Sequence, residues 1–353
     1  MLWELIQKRA HILFPILAPL SSIYRLGDKL RKGIIRPNIL PVPVISIGNI
    51  VLGGTGKTPA CIMLCRWAKE EGYNPSVLLR GYGGKFHGRA GIVSDGERIL
   101  MSAKEAGDEA CLLSENLKGV PVIISKNRYL GAKLSLKRFN TDLFLLDDGF
   151  QHISLKRSLD IVLIDSRDPF GNRRLIPWGP LREPIDSLKR ADIILLTRAD
   201  QSEKVKGLKR YITERFKKPV FLAQHIPEDI VFPYLRERIS LDDLRGKKVV
   251  AFAGIAKGME FIETLRSLDI DVSHCWLLRD HSFYSPRQID LFKKYRIRHR
   301  ADLIITTEKD WMKIKDMNIR YPKLGYLRIR FEIVSDKSLF FNMIRERIKK
   351  AYD

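Results

Sequence analysis

Apolar residues along this chain fall into two recurring patterns. Short β-branched runs read as strands, and longer stretches with apolar residues three or four positions apart read as helices. Strand-like runs lie at 42–47, 76–79, 121–124, 143–147, 160–164, 192–196 and 220–223, and helical stretches separate several of them. That alternation predicts a mostly parallel sheet with helices on both faces, spanning 38–225. Residues 226–243 contain Pro227 and Pro233 and are expected to form a linker with short strands. A second alternation follows, with a strand at 248–253, a helix at 258–268, a strand at 271–276, a helix at 286–298 and a strand at 303–306. The expected fold is therefore α/β, with a smaller C-terminal α/β unit at 244–353 that can close a cleft against the first. A length of 353 residues leaves room for two such cores.

Between the first strand and a helix over 60–69 the chain reads IGNIVLGGTGKTP, residues 47–59. Strand, glycine loop, Lys-Thr and helix together are the context of a phosphate-binding P-loop. Glycines let backbone N–H groups turn around phosphate oxygens, and the helix N-terminus adds the positive end of its dipole. The loop is Val51-Leu52-Gly53-Gly54-Thr55-Gly56-Lys57-Thr58, with Val51 where the usual G-x-x-x-x-G-K-[ST] pattern has glycine. Lys57 is placed to reach the β/γ-phosphates of ATP, and the Thr58 hydroxyl to ligate Mg2+. The first unit is thus expected to be P-loop NTPase-like.

LFLLDDGFQH, residues 143–152, ends an apolar strand in Asp147 and Asp148. Carboxylates at such a strand end lie beside a P-loop and can hold Mg2+ directly or through water. Two adjacent acids point different ways, so they can divide the work; an acidic turn is the alternative reading. AGDEAC places Asp108 and Glu109 at a helix start, where acids also simply complement the helix dipole. LRDHSFYSP places Asp280 and His281 in a turn before a helix. Composition promotes neither pair to a catalytic role.

The first 37 residues differ from the rest. Leu2, Trp3, Leu5 and Ile6, then Ile12, Leu13, Phe14, Ile16 and Leu17, then Ile23, Tyr24 and Leu30 are interleaved with Lys8, Arg9, Arg25, Lys29, Arg31, Lys32 and Arg36. The longest apolar run, 12–20, contains two prolines and is too short to span a bilayer. A signal peptide is disfavoured, because a nucleotide-using unit follows at once and needs cytosolic ATP. An amphipathic basic segment lying in the interface of an anionic membrane fits; a helix pair packed on the protein's own core is the alternative.

Charge sharpens the choice of partner. The chain has 63 basic and 41 acidic residues, a net charge of +22. Such a surface favours an anionic partner: a phosphate ligand, an acidic membrane or nucleic acid. No RNA- or DNA-binding motif accompanies the charge, so nucleic acid is not expected. Cys61, Cys65, Cys111 and Cys275 lack metal-site spacing and read as reduced thiols.

Taken in order, the motifs P-V-P-V-I-S-I-G-N-I-V-L-G-G-T-G-K-T-P, L-L-R-G-Y-G-G, G-D-E-A, N-R, D-D-G-F-Q-H, W-G-P-L-R-E-P, D-H-S-F-Y and T-E-K-D-W span nearly the whole chain. The chain resembles the tetraacyldisaccharide 4'-kinases, the lipid A 4'-kinases of Gram-negative bacteria. That family does not keep a glycine where Val51 stands. Ala110 departs from the more familiar G-D-E-P, which touches only a local turn. The resemblance implies phosphoryl transfer from ATP to the 4'-hydroxyl of a membrane-embedded acylated disaccharide 1-phosphate. It implies Asp108 as the base, His281 as its orienting or proton-accepting partner, Lys57 for developing charge, and Thr58, Asp147 and Asp148 for Mg2+. Glu109 and Gln151 would shape the metal's surroundings. Arg80, Arg128 and Arg182 lie in matched motifs and suit phosphate groups, including that of the lipid acceptor. The resemblance places the chain at the cytoplasmic face of the inner membrane, peripheral or monotopic, with no obligate protein partner.

A rival reading is a membrane-associated P-loop GTPase or regulatory ATPase. LLTRAD, residues 195–200, resembles the guanine-reading [NT]-K-x-D with Arg198 for lysine and Asp200 as acceptor. Arginine does not replace lysine conservatively at a stacked site.

Overall fold

A computed structural model describes residues 10–200 and 202–352, with side chains from residue 17 onward. The apolar and basic positions expected at 2–9, and the side chains of the apolar run at 12–16, lie outside the described residues.

The elements in chain order are α1 (Ala10–Ile34), β1 (Val44–Gly48), α2 (Lys57–Glu70), β2 (Pro75–Leu79), β3 (Gly91–Ser94), α3 (Ala103–Ala106), α4 (Asp108–Asn116), β4 (Val122–Ile124), α5 (Arg128–Arg138), β5 (Leu143–Asp147), β6 (Leu159–Asp165), β7 (Ile193–Thr197), α6 (Glu203–Phe216), β8 (Val220–Phe232), β9 (Glu237–Ser240), β10 (Lys248–Ala253), α7 (Gly258–Ser267), β11 (Asp271–Leu277), α8 (Pro286–Arg298), β12 (Leu303–Thr307), α9 (Glu308–Ile314), β13 (Leu324–Ile333) and α10 (Lys337–Tyr352).

The strands form one sheet in the order β11-β10-β12-β13-β8-β7-β6-β1-β5-β2-β4-β3, with β9 on β8. The N-terminal strands pair in parallel except for the edge pair β3–β4. Strands β1, β5, β6 and β7 are buried along their whole length and mostly apolar, because helices cover both faces. The expected linker at 226–243 is ordered sheet. β8 pairs with β7 in its first half and runs antiparallel to β13 over 223–231, then turns back through β9. Pro227 is tolerated where the register against β13 shifts. Helix α10, expected with the C-terminal unit, buries Phe340, Phe341, Ile344 and Ile348 in the same core as Ile45, Cys61 and Leu64 of the first unit.

α1 lies with its polar side inward. Leu17, Ser21, Tyr24, Asp28 and Lys32 form the covered stripe at helical spacing. Leu20, Ile23, Leu26, Leu30 and Ile34 point outward, with Ile23 67% and Ile34 79% exposed. Among the described residues the segment forms one helix, whose inward side from residue 17 onward is mostly polar. No helix among the described residues is long and apolar enough to cross a membrane.

Candidate active site

Parallel neighbours end on the same sheet edge, and the register pairs Ile47 of β1 with Asp147 of β5. The loop after β1 and the acids after β5 therefore emerge side by side. Within the loop Gly53 has φ 112° and Gly56 φ 91°, a left-handed backbone that a side chain would strain. Gly56 caps α2, and a Cβ there would meet His225 Nε2 at 2.3 Å. Buried Asn49 donates from Nδ2 to Thr55 Oγ1 at 3.1 Å and so pins the loop from within. Leu52, Gly53, Gly54, Thr55, Gly56, Lys57 and Thr58 line a cleft of about 1190 Å³. Val51, expected among the phosphate-binding positions, does not. Its side chain is buried with Ile50, Phe150 and Leu181, so an apolar residue belongs where the usual pattern has glycine.

The two acids divide the work, Asp147 as the last residue of β5 and Asp148 in the left-handed turn that follows. Thr58 Oγ1 donates to Asp147 Oδ2 at 3.0 Å, while Asp147 Oδ1 is buried without a hydrogen-bond partner. Burial, then the charges of Glu109 and Asp148, push this carboxyl up to about 7. Asp148, at φ 51°, faces the other way. Arg182 Nη1 donates to both its oxygens, at 2.7 and 3.0 Å, and Lys57 Nζ lies 3.7 Å away. Burial alone would raise Asp148, but Lys57 and Arg182 outweigh it and hold the carboxyl at about 2. Arg182, expected toward the acceptor's phosphate, commits Nη1 to Asp148 and to Asn49 Oδ1 at 3.3 Å.

These residues suit a divalent cation. A desolvated carboxylate oxygen with no donor, next to a hydroxyl at a P-loop, is the kind of oxygen set Mg2+ takes alongside phosphate oxygens. Among the described residues no group of three or more His, Cys, Asp or Glu side chains forms a complete metal cage, so the cation would be shared with the nucleotide.

Across the cleft, His281 sits at φ 58° on the loop after β11. Its Nδ1 lies 3.2 and 3.1 Å from the two oxygens of Asp108, the first residue of α4. Asp108 is 6% exposed and lies behind the imidazole, while Tyr82 meets the ring edge-on at 5.1 Å. The Asp108 hydrogen bond raises the His281 pKa above its ordinary value. Burial would raise Asp108, but His281, Lys309 and Lys313 prevail and lower it.

The sequence assigned no role to Lys309 or Lys313; the T-E-K-D-W motif, residues 307–311, contains Lys309 and stops short of Lys313. Lys309 Nζ lies 3.3 Å from Glu109 Oε1, 3.6 Å from Asp280 Oδ1 and 3.8 Å from Asp108 Oδ2. Lys313 donates to Gly254 O at 2.8 Å and Asp310 Oδ1 at 2.9 Å, and lies 3.6 Å from Asp108. Glu109 thus touches Lys309 on one side and acts on Asp147 through its charge on the other.

Arg80 and Arg128 both line the cleft. Arg80 is exposed; Arg128 is buried, donates to Ser125 O at 3.0 Å and leaves Nε without a partner. Burial lowers Arg128 to about 10, so it stays charged near neutrality. His152 is held neutral, lowered to about 4 by burial and then by Arg128 and Arg157. Gln151, expected near the metal, instead donates to Asn49 O at 2.8 Å and Glu183 Oε1 at 3.1 Å.

The LLTRAD segment does not present a guanine-reading edge. Arg198 Nη1 donates to Gly54 O of the P-loop at 3.0 Å and to Asp165 Oδ2 at 2.6 Å, and its Nε lies 2.7 Å from Glu260. Asp200 is exposed and accepts from Ser202 N at 3.0 Å. This arginine braces the loop.

A profile of the family described as Tetraacyldisaccharide-1-P 4'-kinase matches residues 13–349. The Tetraacyldisaccharide 4'-kinase of Syntrophus aciditrophicus is 37% identical over 349 residues, covering 95% of this chain and 93% of its own length. That of Desulfatibacillum aliphaticivorans is 38% identical over 330 residues, covering 90% of this chain and 88% of its own. The crystal structure of LpxK from Aquifex aeolicus in complex with ATP superposes with a TM-score of 0.73 at 29% identity, covering 100% of both chains.

Proposed function

The chain belongs to the tetraacyldisaccharide-1-P 4'-kinase family, and on that premise we propose how its residues move the γ-phosphoryl group of ATP to the 4'-hydroxyl of an acylated disaccharide 1-phosphate. One observation carries the reading: His281, hydrogen-bonded to buried Asp108, lines the same cleft as the P-loop.

The P-loop amides and Lys57 hold the β/γ-phosphates of ATP, and Lys57 neutralises charge as the bond to the ADP oxygen breaks. Thr58, Asp147 and Asp148 hold Mg2+, which supplies charge neutralisation on the phosphates when bound. Arg182 and Lys57 keep Asp148 ionised for that task. The acceptor hydroxyl gives its proton to the Asp108–His281 pair as its oxygen bonds to the γ-phosphorus. Because Asp108 is buried behind the ring, the proton enters through His281 and Asp108 holds the imidazole. Of the two roles expected for His281, this is the proton-accepting one. Lys309, beside Asp108 and Glu109, helps keep Asp108 ionised and ties the pair to Glu109. Arg80 and Arg128 are suited to the acceptor's own phosphate, a buried fork and an exposed one on the same cleft wall. Asp108 at the start of α4 and His281 after β11 already meet at 3.1 Å, so the pair stands assembled beside the cleft where donor and acceptor meet.

The enzyme works at the cytoplasmic face of the inner membrane. An apolar stripe pointing outward is stable against acyl chains and not against water, and Arg25, Lys29 and Arg36 flank it to meet anionic headgroups. A GTPase reading has little support, since Arg198 is engaged with Gly54 and Asp165.

The test is incubation with γ-labelled ATP, Mg2+ and acylated disaccharide 1-phosphate in micelles. Label is expected in the lipid only when all three are present. Label released solely as free phosphate contradicts the reading.

A further inference from the structure

We propose that helix α1 is a positioning element of the active site, acting on Arg182 through Tyr24 and Lys32. The inference rests on the role given above to Arg182 beside Asp148.

The inward stripe of α1 makes polar contacts with the loop that carries Arg182. Tyr24 Oη donates to the carbonyl of Arg182 at 2.8 Å. Lys32 Nζ bonds Oε2 of Glu183, the next residue. Ser21 Oγ donates to Leu175 O at 2.9 Å and accepts from Trp178 N at 3.3 Å, fixing the start of the same loop. On its other side Arg182 donates its backbone N–H to Ile50 O at 2.8 Å, just before the P-loop. The residue is therefore gripped between β1's extension and α1 while its guanidinium reaches Asp148.

Glu183 makes this grip specific. It is 0% exposed, and a carboxylate taken wholly out of water must be matched by donors. Arg190 Nη2 at 2.7 Å and Gln151 Nε2 at 3.1 Å supply two, both from half-buried side chains outside α1. Lys32 supplies the third from α1. Neighbouring side chains in one bend thus have separate partners: Arg182 reaches Asp148, and Glu183 reaches Lys32 of α1. A shift of α1 is transmitted directly to the Arg182 backbone, and a small displacement of a charged fork at a reacting centre costs rate out of proportion to its size. The same helix offers its apolar stripe outward, so its seat on a lipid surface and the aim of Arg182 are mechanically joined.

The experiment measures kcat, KM for ATP, KM for the lipid acceptor and melting temperature on the full chain for Tyr24→Phe, Lys32→Met, Lys32→Arg and Arg182→Ala, and for each of the first two combined with Arg182→Ala. Tyr24→Phe removes one hydroxyl and keeps the packing, so it remains folded. Tyr24→Phe and Lys32→Met are each expected to lower kcat about tenfold with KM for ATP nearly unchanged. Lys32→Arg is expected to restore most of the rate. In the Arg182→Ala background neither change should lower kcat further, because the residue they position is gone. Wild-type kcat in both α1 variants, or losses that multiply with that of Arg182→Ala, overturns the inference alone. Wild-type activity in Arg182→Ala overturns the role of Arg182 and this inference with it.

Discussion

His281 Nδ1 lies 3.1 Å from Asp108 Oδ2, joining the loop after β11 to the start of α4 across 173 positions in the chain. The pair can take a proton only when His281 is neutral and Asp108 ionised. Asp108 is lowered, so it is ionised near neutrality; His281 is raised by that hydrogen bond, so it sets the limb. kcat/KM is therefore expected to rise with pH through a value above 6.5 and then level off. Stability runs the other way. A raised His pKa contributes fully below the ordinary His value and is lost as pH rises through the raised one. A pH–rate profile and a melting-temperature profile over the same buffers check both signs. A flat rate profile between about pH 5.5 and about pH 9.5 removes His281 from proton transfer.

Gly56→Ala should disable the P-loop. The added Cβ meets His225 Nε2 at 2.3 Å, and the φ of 91° is itself unfavourable for a side chain. Such backbone strain costs about 1–3 kcal/mol. Adding His225→Ala relieves the clash and leaves the strain, so the double variant is expected to regain part of its nucleotide affinity. Equilibrium binding of an ATP analogue measures this; equal affinity in single and double variants shows that the imidazole does not crowd the loop.

Asp147→Asn tests the metal assignment without relying on turnover. Mg2+ with ADP is expected to raise the melting temperature of the wild type and to do so far less in the variant, since a carboxylate ligand beside Thr58 is lost. Turnover should also fall, by about 100-fold. An unchanged Mg2+-dependent shift would assign the cation to other residues.

The outward stripe of α1 predicts lipid binding separable from chemistry. Ile23→Glu with Leu30→Glu places two charges where 67% and 57% exposed apolar side chains stand. Losing two such contacts with acyl chains should weaken partition onto anionic vesicles by about 100-fold. Melting temperature should hardly move, because neither side chain packs on the core. Co-sedimentation with vesicles reads the effect, and wild-type partition would put the membrane face elsewhere.

Much of the site could be read from the chain because its parts are local. The P-loop, its flanking strand and helix, and the acids of β5 each lie within a dozen residues, and short-range chemistry constrains them. What stayed hidden depended on distance. Lys309 approaches Glu109 across 200 positions, and no local pattern announces it. LLTRAD resembled a guanine-reading motif because only tertiary contact turns Arg198 onto Gly54. Val51 was grouped with the phosphate ligands by register, although its side chain is core. β8 was cut short at 223 because Pro227 interrupts it, and the register shift that tolerates the proline is visible only beside β13. The direction faced by α1 was open for the same reason: amphipathicity defines two faces but not which one meets the protein.

The central claim is that Asp108 and His281 act as one proton-accepting unit opposite the P-loop, and phosphoryl transfer to lipid in single and double variants tests it most directly. Asp108→Ala and His281→Ala are each expected to lower kcat by about 100- to 10,000-fold, and the double variant to be no slower than the slower single one. Near-wild-type transfer in His281→Ala, or losses that multiply in the double variant, would contradict the account.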